Sequence, residues 1–153
     1  MSDSDTDVCL TQLDLKQKSL KNVLEKDLSK CQILTISDSY VPNLRALSSN
    51  LRSLTVLKIA NAGIDSIDGI SMCPVLKELF LPFNEISELS PLIFLHSLEI
   101  IDLEQNCIAS IEQVEYLSAL TDLKILNLQG NPVVSDPKYR KVMEVYEWME
   151  IIF

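Results

Sequence analysis

The sequence predicts an α/β solenoid in which short parallel strands stack side by side and helical turns carry the chain back along the outer side. Three observations predict it. One spacing of apolar residues recurs along the chain, an asparagine closes that spacing in three of the copies, and the copies that begin at Leu54, Leu76, Leu98 and Leu123 are 22 to 25 residues apart. Because alternate residues of a strand point to opposite faces, the recurring apolar residues would form buried columns.

The clearest copy runs from Leu76 to Asn84 and reads LKELFLPFN. The same spacing recurs up to Asn106 and up to Asn131. This spacing, L-x-x-L-x-L-x-x-N, is that of leucine-rich repeats. We therefore expect a right-handed leucine-rich repeat solenoid with a short, concave parallel sheet and helical or 3₁₀ turns on the convex side. Asn84, Asn106 and Asn131 should form a buried ladder whose amides hydrogen-bond the backbone of the turn that follows each.

The copies nearer the N-terminus keep the apolar spacing but lose the asparagine. Ser39 and Ala62 stand at that position, and Asn61 or water would have to satisfy the backbone at Ala62. A degenerate first copy can be placed on Leu10, Leu13 and Leu15, where it would cover the open end of the stack. We thus expect about six repeats over residues 10–134, preceded by a flexible acidic segment at residues 1–9.

Two features are expected toward the C-terminus. The step from Leu98 to Leu123 is 25 residues, which predicts a longer helical turn around Tyr116. Residues 135–153 predict a capping helix, because Asp136 and Pro137 are helix-start signals and apolar residues follow at helical spacing. The apolar end, formed by Trp148, Ile151, Ile152 and Phe153, would seal the core; binding of a downstream segment or a partner chain is the alternative.

Length and charge limit the function classes. The 153 residues, 47% of them hydrophobic, suit one domain with one continuous core. The net charge of −9 argues against binding nucleic acid through its phosphates. No apolar run is long enough to span a bilayer, and the start of the chain is acidic rather than signal-like. We expect a cytoplasmic monomer that binds other proteins, not membranes or nucleic acid.

The sequence offers no catalytic or metal-binding constellation. His96 is the single histidine, and three glycines do not supply a phosphate-binding loop. The four cysteines, Cys9, Cys31, Cys73 and Cys107, form no C-x-x-C pair and are expected to be reduced thiols. We expect no cofactor, no metal and no enzymatic activity, so the function must reside on a surface.

The repeat register indicates which surface. Residues between the core leucines face outward on the concave side, in columns that cross neighbouring repeats. Phe80 and Phe83 form an apolar spot there, beside the carboxylates of Asp102 and Glu104. An interaction site is favoured over the alternative, in which the rings only cover their neighbours. The predicted partner-binding residues are Lys58, Phe80, Phe83, Asp102, Glu104 and Asn127.

The 22-residue period, with I-x-x-I or I-x-x-L after the asparagine, resembles the SDS22-like subclass of leucine-rich repeats. The central stretch is similar to a narrower family, that of leucine-rich repeat-containing protein 56. The features are Asp68-Gly69-Ile70, Leu76-Lys77-Glu78-Leu79, the run from Asn84 through Ser90-Pro91-Leu92, Leu98-Glu99 with Asp102-Leu103-Glu104, and Val114-x-Tyr116-Leu117. The resemblance covers about residues 10–133.

The resemblance implies an adaptor that links outer dynein arms to intraflagellar transport in motile cilia or flagella. Its partners would be dynein-arm or transport components, and its location would be the cytoplasm and the cilium or flagellum. Two alternatives stay open: an SDS22-like phosphatase-regulatory or general cytosolic scaffold, and a subunit like an axonemal dynein light chain or a spliceosomal relative. Members of this family usually continue into a long polar tail.

Overall fold

In the part of the chain that the structure describes, seven short strands form one parallel sheet in the order of the sequence. The computed structural model describes residues 12–16, 27–41, 43–47, 51–146 and 150–152. Each strand pairs with the next one along the chain, so every repeat adds one strand to the sheet. The strands are β1 (Gln12–Lys16), β2 (Ile33–Ser37), β3 (Val56–Ala60), β4 (Glu78–Phe80), β5 (Ile100–Asp102), β6 (Ile125–Asn127) and β7 (Glu150–Ile152).

Two columns of apolar side chains point inward from the sheet. Every member is at most 2% exposed, and the members are Leu34, Leu57, Leu79, Ile101 and Leu126 in one column and Ile36, Ile59, Leu81, Leu103 and Leu128 in the other. Cys31 is fully buried at the position that Leu54, Leu76 and Leu98 hold in later repeats. The predicted α/β leucine-rich repeat solenoid with a parallel sheet is confirmed.

The N-terminal repeat follows the same register. Leu13 of β1 pairs with Leu34 of β2, and Leu15 pairs with Ile36. The acidic segment at residues 1–9, Leu10 and most of the return from β1 lie outside the described residues.

The return turns are helical and mostly 3₁₀. They comprise Leu44–Ala46, Ile70–Met72, Ser90–Phe94, Tyr116–Ala119 and Pro132–Ser135. In the repeat with the 25-residue step, an α-helix, α1 (Ile111–Glu115), leads directly into the turn at Tyr116–Ala119. Val114 and Leu117 are buried there, so the extra residues lengthen the turn without interrupting the core.

The C-terminal segment differs from the single capping helix expected over residues 135–153. A short helix, α2 (Tyr139–Glu144), buries Tyr139 and Met143 against the core and is followed by β7. Ile151 pairs with Leu126 of β6, and the Glu150 N–H donates to the Lys124 carbonyl at 2.7 Å. The adjacent β-branched Ile151 and Ile152 favour a strand, and half-buried Ile151 packs on the core. Trp148 and Phe153 of the predicted apolar end lie outside the described residues.

The asparagine ladder connects each repeat to the one before it. The Asn84 Oδ1 accepts the N–H groups of Ala62 and Ile64 at 3.1 and 3.2 Å, and its Nδ2 donates to the Ile59 carbonyl at 2.9 Å. The same Nδ2 also donates to the Leu81 carbonyl at 3.1 Å, within its own turn. Asn84 is 6% exposed, so these backbone groups are satisfied inside the protein.

Asn106 and Asn131 repeat this pattern. The Asn106 Oδ1 accepts the Ile86 N–H at 3.0 Å, and the Asn131 Oδ1 accepts the Ile108 N–H at 3.0 Å. The expected partners, in the turn after each asparagine, were therefore wrong: stacking places the preceding repeat's turn against the amide. The expectation for Ala62 changes with it, because Asn84 satisfies its N–H, whereas Asn61 donates to the Asp38 carboxylate at 3.1 Å.

Candidate protein-binding face

The outward residues of neighbouring strands form columns that cross the sheet. Lys58 lies beside Phe80, Phe80 beside Asp102, and Asp102 beside Asn127 in the strand register. The next outward column holds Ser37, Ala60, Pro82, Glu104 and Gln129, and the residues directly after it are Asp38, Asn61, Phe83, Gln105 and Gly130. We call these columns the concave face. Neighbouring strands are about 4.8 Å apart, so residues 22 positions apart in the sequence lie side by side.

Phe80 is half-buried, and its ring already contacts a cationic side chain of the protein. The Lys58 ammonium lies 4.9 Å from the centroid of the Phe80 ring. An ammonium at that distance from a ring is attracted by the negative face of the π-system. One part of the predicted apolar spot is thus covered by a side chain of the preceding repeat.

Phe83 has a different environment. Its side chain is 54% exposed, and its backbone is left-handed, with a φ of 57°. The left-handed region is unfavourable for residues with a Cβ, and Asn, Asp and Gly tolerate it best. The other repeats follow that preference only in part, with Asp38, Asn61, Gln105 and Gly130 at the same position. Phe83 is therefore an exposed aromatic ring held on an unfavourable backbone conformation.

Asp102 and Asn127 each use one oxygen to hold their own turn. The Asp102 carboxylate accepts the Glu104 N–H at 3.0 Å, and the Asn127 Oδ1 accepts the Gln129 N–H at 3.0 Å. Asp102 and Glu104 are half-buried, whereas Asn127 is only 7% exposed. Asn127 lies next to Ile152 of β7, a strand that the repeat spacing does not predict. It therefore offers little surface to a partner, although it was among the predicted binding residues.

Two features near this face were not predicted from the sequence. Tyr40, two residues after Asp38, is 75% exposed, and a Cβ placed on Gly63 would lie 3.4 Å from its ring. An earlier outward column is formed by half-buried Ile33, Val56, Glu78, Ile100 and Ile125. The alternation of the strands would have revealed that column, because its residues directly precede the first core position of each strand.

A ladder of charges runs along the edge of the sheet where the strands begin. The Glu99 carboxylate lies 3.6 Å from the Lys77 ammonium and 2.5 Å from that of Lys124. The hydrogen bond from Lys124, followed by the charges of Lys124 and Lys77, lowers the pKa of Glu99 below its usual 4.5. These lysines are paired with Glu99 and do not neutralise the carboxylates of the concave face.

The described cysteines occupy separate sites. Cys31 and Cys73 are buried, whereas Cys107 is exposed. Burial raises the pKa of Cys73 to about 11, so its thiol stays protonated near neutral pH. Within the described ranges, no three histidine, cysteine or carboxylate residues come together as a metal would require. Of the helices in the described part of the chain, none is both long enough and apolar enough to span a membrane.

The chain is similar in sequence to a repeat family and to known proteins. The leucine rich repeat family matches residues 74–133. Human leucine-rich repeat-containing protein 56 is 39% identical over 125 residues, which cover 82% of this chain and 23% of that protein. The dynein axonemal assembly factor 1 homolog of Drosophila melanogaster is 40% identical over 79 residues, covering 49% of this chain and 5% of that protein. The chain thus spans less than a quarter of the length of these relatives.

Solved structures show the same architecture. An internalin from Listeria monocytogenes (InlF) superposes with a TM-score of 0.69 at 27% identity, over 81% of this chain and 35% of that one. A chain of the Drosophila melanogaster SNF/U2A′ complex superposes with a TM-score of 0.57 at 25% identity, over 73% of this chain and 66% of that one. The chain is a leucine-rich repeat protein whose repeats are similar to those of leucine-rich repeat-containing protein 56.

Proposed function

We propose that the chain is a non-enzymatic scaffold that binds a partner protein through the centre of its concave face. The observation that carries this proposal is Phe83. An aromatic ring that is 54% exposed and belongs to a residue with a left-handed backbone contributes little to the stability of the fold. Backbone strain of this kind supports an inference from the outlier to a function. Exposed aromatic rings are also common anchors of protein interfaces.

The surroundings of Phe83 support a binding role. Phe80 lies three residues earlier on the same face, and the Phe83 N–H donates to the Glu104 carbonyl at 2.9 Å, which ties the two repeats together. Asp102 and Glu104 belong to that next repeat. A partner that contacts Phe83 therefore meets both carboxylates as well, and these would steer a basic segment toward the ring.

The cellular role that we propose is in outer dynein arm assembly or transport, in the cytoplasm and the cilium or flagellum. The similarity to leucine-rich repeat-containing protein 56 supports it, as does the similarity to a protein named dynein axonemal assembly factor 1 homolog. A scaffold for a different complex is the second candidate, and the likeness to a chain of the SNF/U2A′ complex favours it.

Capture from cell lysate tests the role and the face together. Tagged protein would be incubated with lysates of ciliated cells and of the same cells after deciliation, and bound proteins would be quantified by mass spectrometry. We expect dynein-arm or transport components to be captured by the wild type and lost with Phe83→Asn. Phe94→Asn is the matched control, because Phe94 is 68% exposed but lies in the turn Ser90–Phe94, outside the sheet. Capture of unrelated complexes alone would favour the second candidate.

A further inference from the structure

We propose that the segment bound at the centre of the concave face presents an arginine, whose guanidinium stacks on the Phe83 ring and pairs with the carboxylates of Asp102 and Glu104. This proposal rests on the proposed function, because it specifies the chemistry of the partner at the same face. Three features of the described residues carry it: the charge balance of the face, the free ring of Phe83, and the lack of an internal partner for Glu104.

The charge balance favours a cationic partner. Among the described outward residues of β2 to β6 and the residues that follow each strand on the concave face, Lys58 is the one cation. The same set of residues holds four carboxylates, those of Asp38, Glu78, Asp102 and Glu104. Lysines at the edge of the sheet are already paired with Glu99. A partner segment that brings positive charge would therefore be attracted to this face.

The rings of Phe80 and Phe83 differ in whether a cation already contacts them. The Phe80 ring already has the Lys58 ammonium 4.9 Å from its centroid, so the protein itself demonstrates that a cation binds an aromatic ring on this face. Phe83 is 54% exposed, and no cation lies over its ring among the described residues. An incoming cation can therefore occupy at Phe83 the kind of position that Lys58 occupies at Phe80.

Glu104 provides the matching acceptor. Its carboxylate is half-buried and makes no ion pair with any described residue, whereas Asp102 uses one oxygen for its own turn. A half-buried carboxylate is partly desolvated, which strengthens a charge-assisted hydrogen bond from a partner. The Phe83 N–H donates to the Glu104 carbonyl at 2.9 Å, so the two residues are neighbours across the strands. One incoming side chain can therefore contact both the Phe83 ring and the Glu104 carboxylate.

The combination of a ring and a carboxylate selects arginine over lysine. A guanidinium is planar and weakly hydrated, so it can stack on the ring while donating two parallel N–H bonds to a carboxylate. An ammonium is compact and strongly hydrated, and it loses more solvation when it leaves water for the ring. Attraction by charge alone would not distinguish the two residues, so a preference for arginine is the signature of this proposal.

The test uses three fluorescein-labelled peptides of equal length, made of Gly-Ser-Arg, Gly-Ser-Lys or Gly-Ser-Gln repeats. Fluorescence anisotropy with the full chain at about 0.15 M ionic strength gives the affinity for each. We expect the arginine peptide to bind about threefold to tenfold more tightly than the lysine peptide, and the glutamine peptide to bind most weakly. Equal affinities for the arginine and lysine peptides, or no binding by the arginine peptide, would overturn the proposal.

Single substitutions test whether the preference for arginine depends on Phe83. Phe83→Asn should lower the arginine-to-lysine affinity ratio toward one, because only the carboxylates then favour the guanidinium, while Phe94→Asn should leave the ratio unchanged. Asn61 occupies the same left-handed position as Phe83, so this fold accommodates asparagine there. An undiminished ratio in Phe83→Asn would overturn the proposal, provided that circular dichroism shows the variant folded.

The carboxylates are tested with a charge-matched pair of variants. Asp102→Asn with Glu104→Gln should weaken binding of both cationic peptides, and the amide at residue 102 can still accept the turn hydrogen bond, as Asn127 does in the next repeat. Asp65→Asn with Glu88→Gln changes the net charge equally on exposed turn residues and should have little effect. Equal weakening by both pairs would show that net charge alone attracts the peptide and would overturn the proposal.

The outcomes separate this proposal from the proposed function. Loss of dynein-arm capture in Phe83→Asn without any arginine preference overturns the arginine assignment and leaves the scaffold role standing. An arginine preference at Phe83 without capture of ciliary proteins supports the assignment and contradicts the ciliary role.

Discussion

Replacement of Asn106 by alanine should destabilise the protein strongly, because one side chain serves two repeats. Its Oδ1 accepts the Ile86 N–H at 3.0 Å, and its Nδ2 donates to the carbonyls of Leu81 and Leu103 at 2.9 and 3.1 Å. Asn106 itself is 6% exposed, so water does not reach these groups freely. Alanine leaves the Ile86 N–H unpaired and removes one of two donors from each of the carbonyls of Leu81 and Leu103, which keep their bonds from Asn84 and Asn131.

The magnitude follows from the hydrogen bonds that are lost. The unpaired buried N–H of Ile86 costs about 1–3 kcal/mol, and each lost hydrogen bond to a carbonyl that keeps a second donor adds about 0.5–1.5 kcal/mol. A water molecule that enters the space vacated by the amide would restore part of this loss. The expected loss in the free energy of unfolding is therefore about 2–4 kcal/mol, a large share of the stability of an ordinary domain.

Equilibrium denaturation in urea, followed by circular dichroism, measures this loss. Gln129→Ala is the control, since it also removes an amide but from an exposed side chain, and we expect a change within about 0.5 kcal/mol. If Asn106→Ala changed the free energy of unfolding no more than Gln129→Ala does, the ladder would not hold the repeats together as described.

Three further predictions concern stability. Leu103→Ala should cost about 2–5 kcal/mol in urea denaturation, because the fully buried side chain would leave a cavity in the core; an unchanged midpoint would contradict the assigned register. Phe83→Asn should keep the thermal midpoint or raise it, because asparagine suits a φ of 57° better than phenylalanine does; a large drop would place Phe83 in the core. Wild type should be more stable than Glu99→Gln at neutral pH, and the difference should vanish as pH falls below 4.5 through the lowered pKa of Glu99, since Lys124 and Lys77 stabilise the charged form. A difference that stays constant from neutral to acidic pH would show that it does not come from this carboxylate.

Association kinetics test the steering role of the carboxylates on the concave face. Asp102→Asn with Glu104→Gln should slow association of a captured partner at low salt and change its dissociation less, because exposed and half-exposed charges act mainly on the rate of encounter. Surface plasmon resonance at two salt concentrations measures both rates. An association rate that does not depend on these residues or on salt would contradict the expected steering.

Much of the fold could be predicted because it is periodic. Each core position, such as Leu79 or Leu103, depends only on its place in the repeat, and alternation along a strand assigns its side. Even Cys31 could be placed, since a small apolar residue at a leucine position still belongs to the core. The 25-residue step likewise located the lengthened turn that contains α1.

Features that depend on contacts between repeats could not be predicted in the same way. The sequence places Asn84 at the end of its spacing, but only the stacking of the turns shows that its Oδ1 serves Ala62 and Ile64 of the preceding repeat. The pairing of β7 with β6 lies beyond the last copy of the motif, so the period gave no signal for it. The burial of Asn127 beside Ile152 was missed for the same reason.

The sequence predicted which side chains of the site face outward, but it did not predict the backbone conformation there. Register alone placed Phe80, Phe83, Asp102 and Glu104 on one face. The left-handed φ at Phe83 was not foreseen, although Asn61 and Gly130 at equivalent positions were a signal for it. That backbone conformation supports the proposed binding role, because it distinguishes an aromatic residue that stabilises the fold from one that the fold only tolerates.

The most direct test of the binding face compares wild type, Phe83→Asn and Phe94→Asn in quantitative capture from ciliated-cell lysate. All three proteins should show the same circular dichroism spectrum, because both rings are largely exposed, at 54% and 68%. We expect dynein-arm or transport proteins to be captured by wild type and Phe94→Asn and to be lost with Phe83→Asn. Undiminished capture by folded Phe83→Asn would contradict the proposed binding through the concave face and place the binding surface elsewhere, with Tyr116 on the lengthened turn as the next surface to examine.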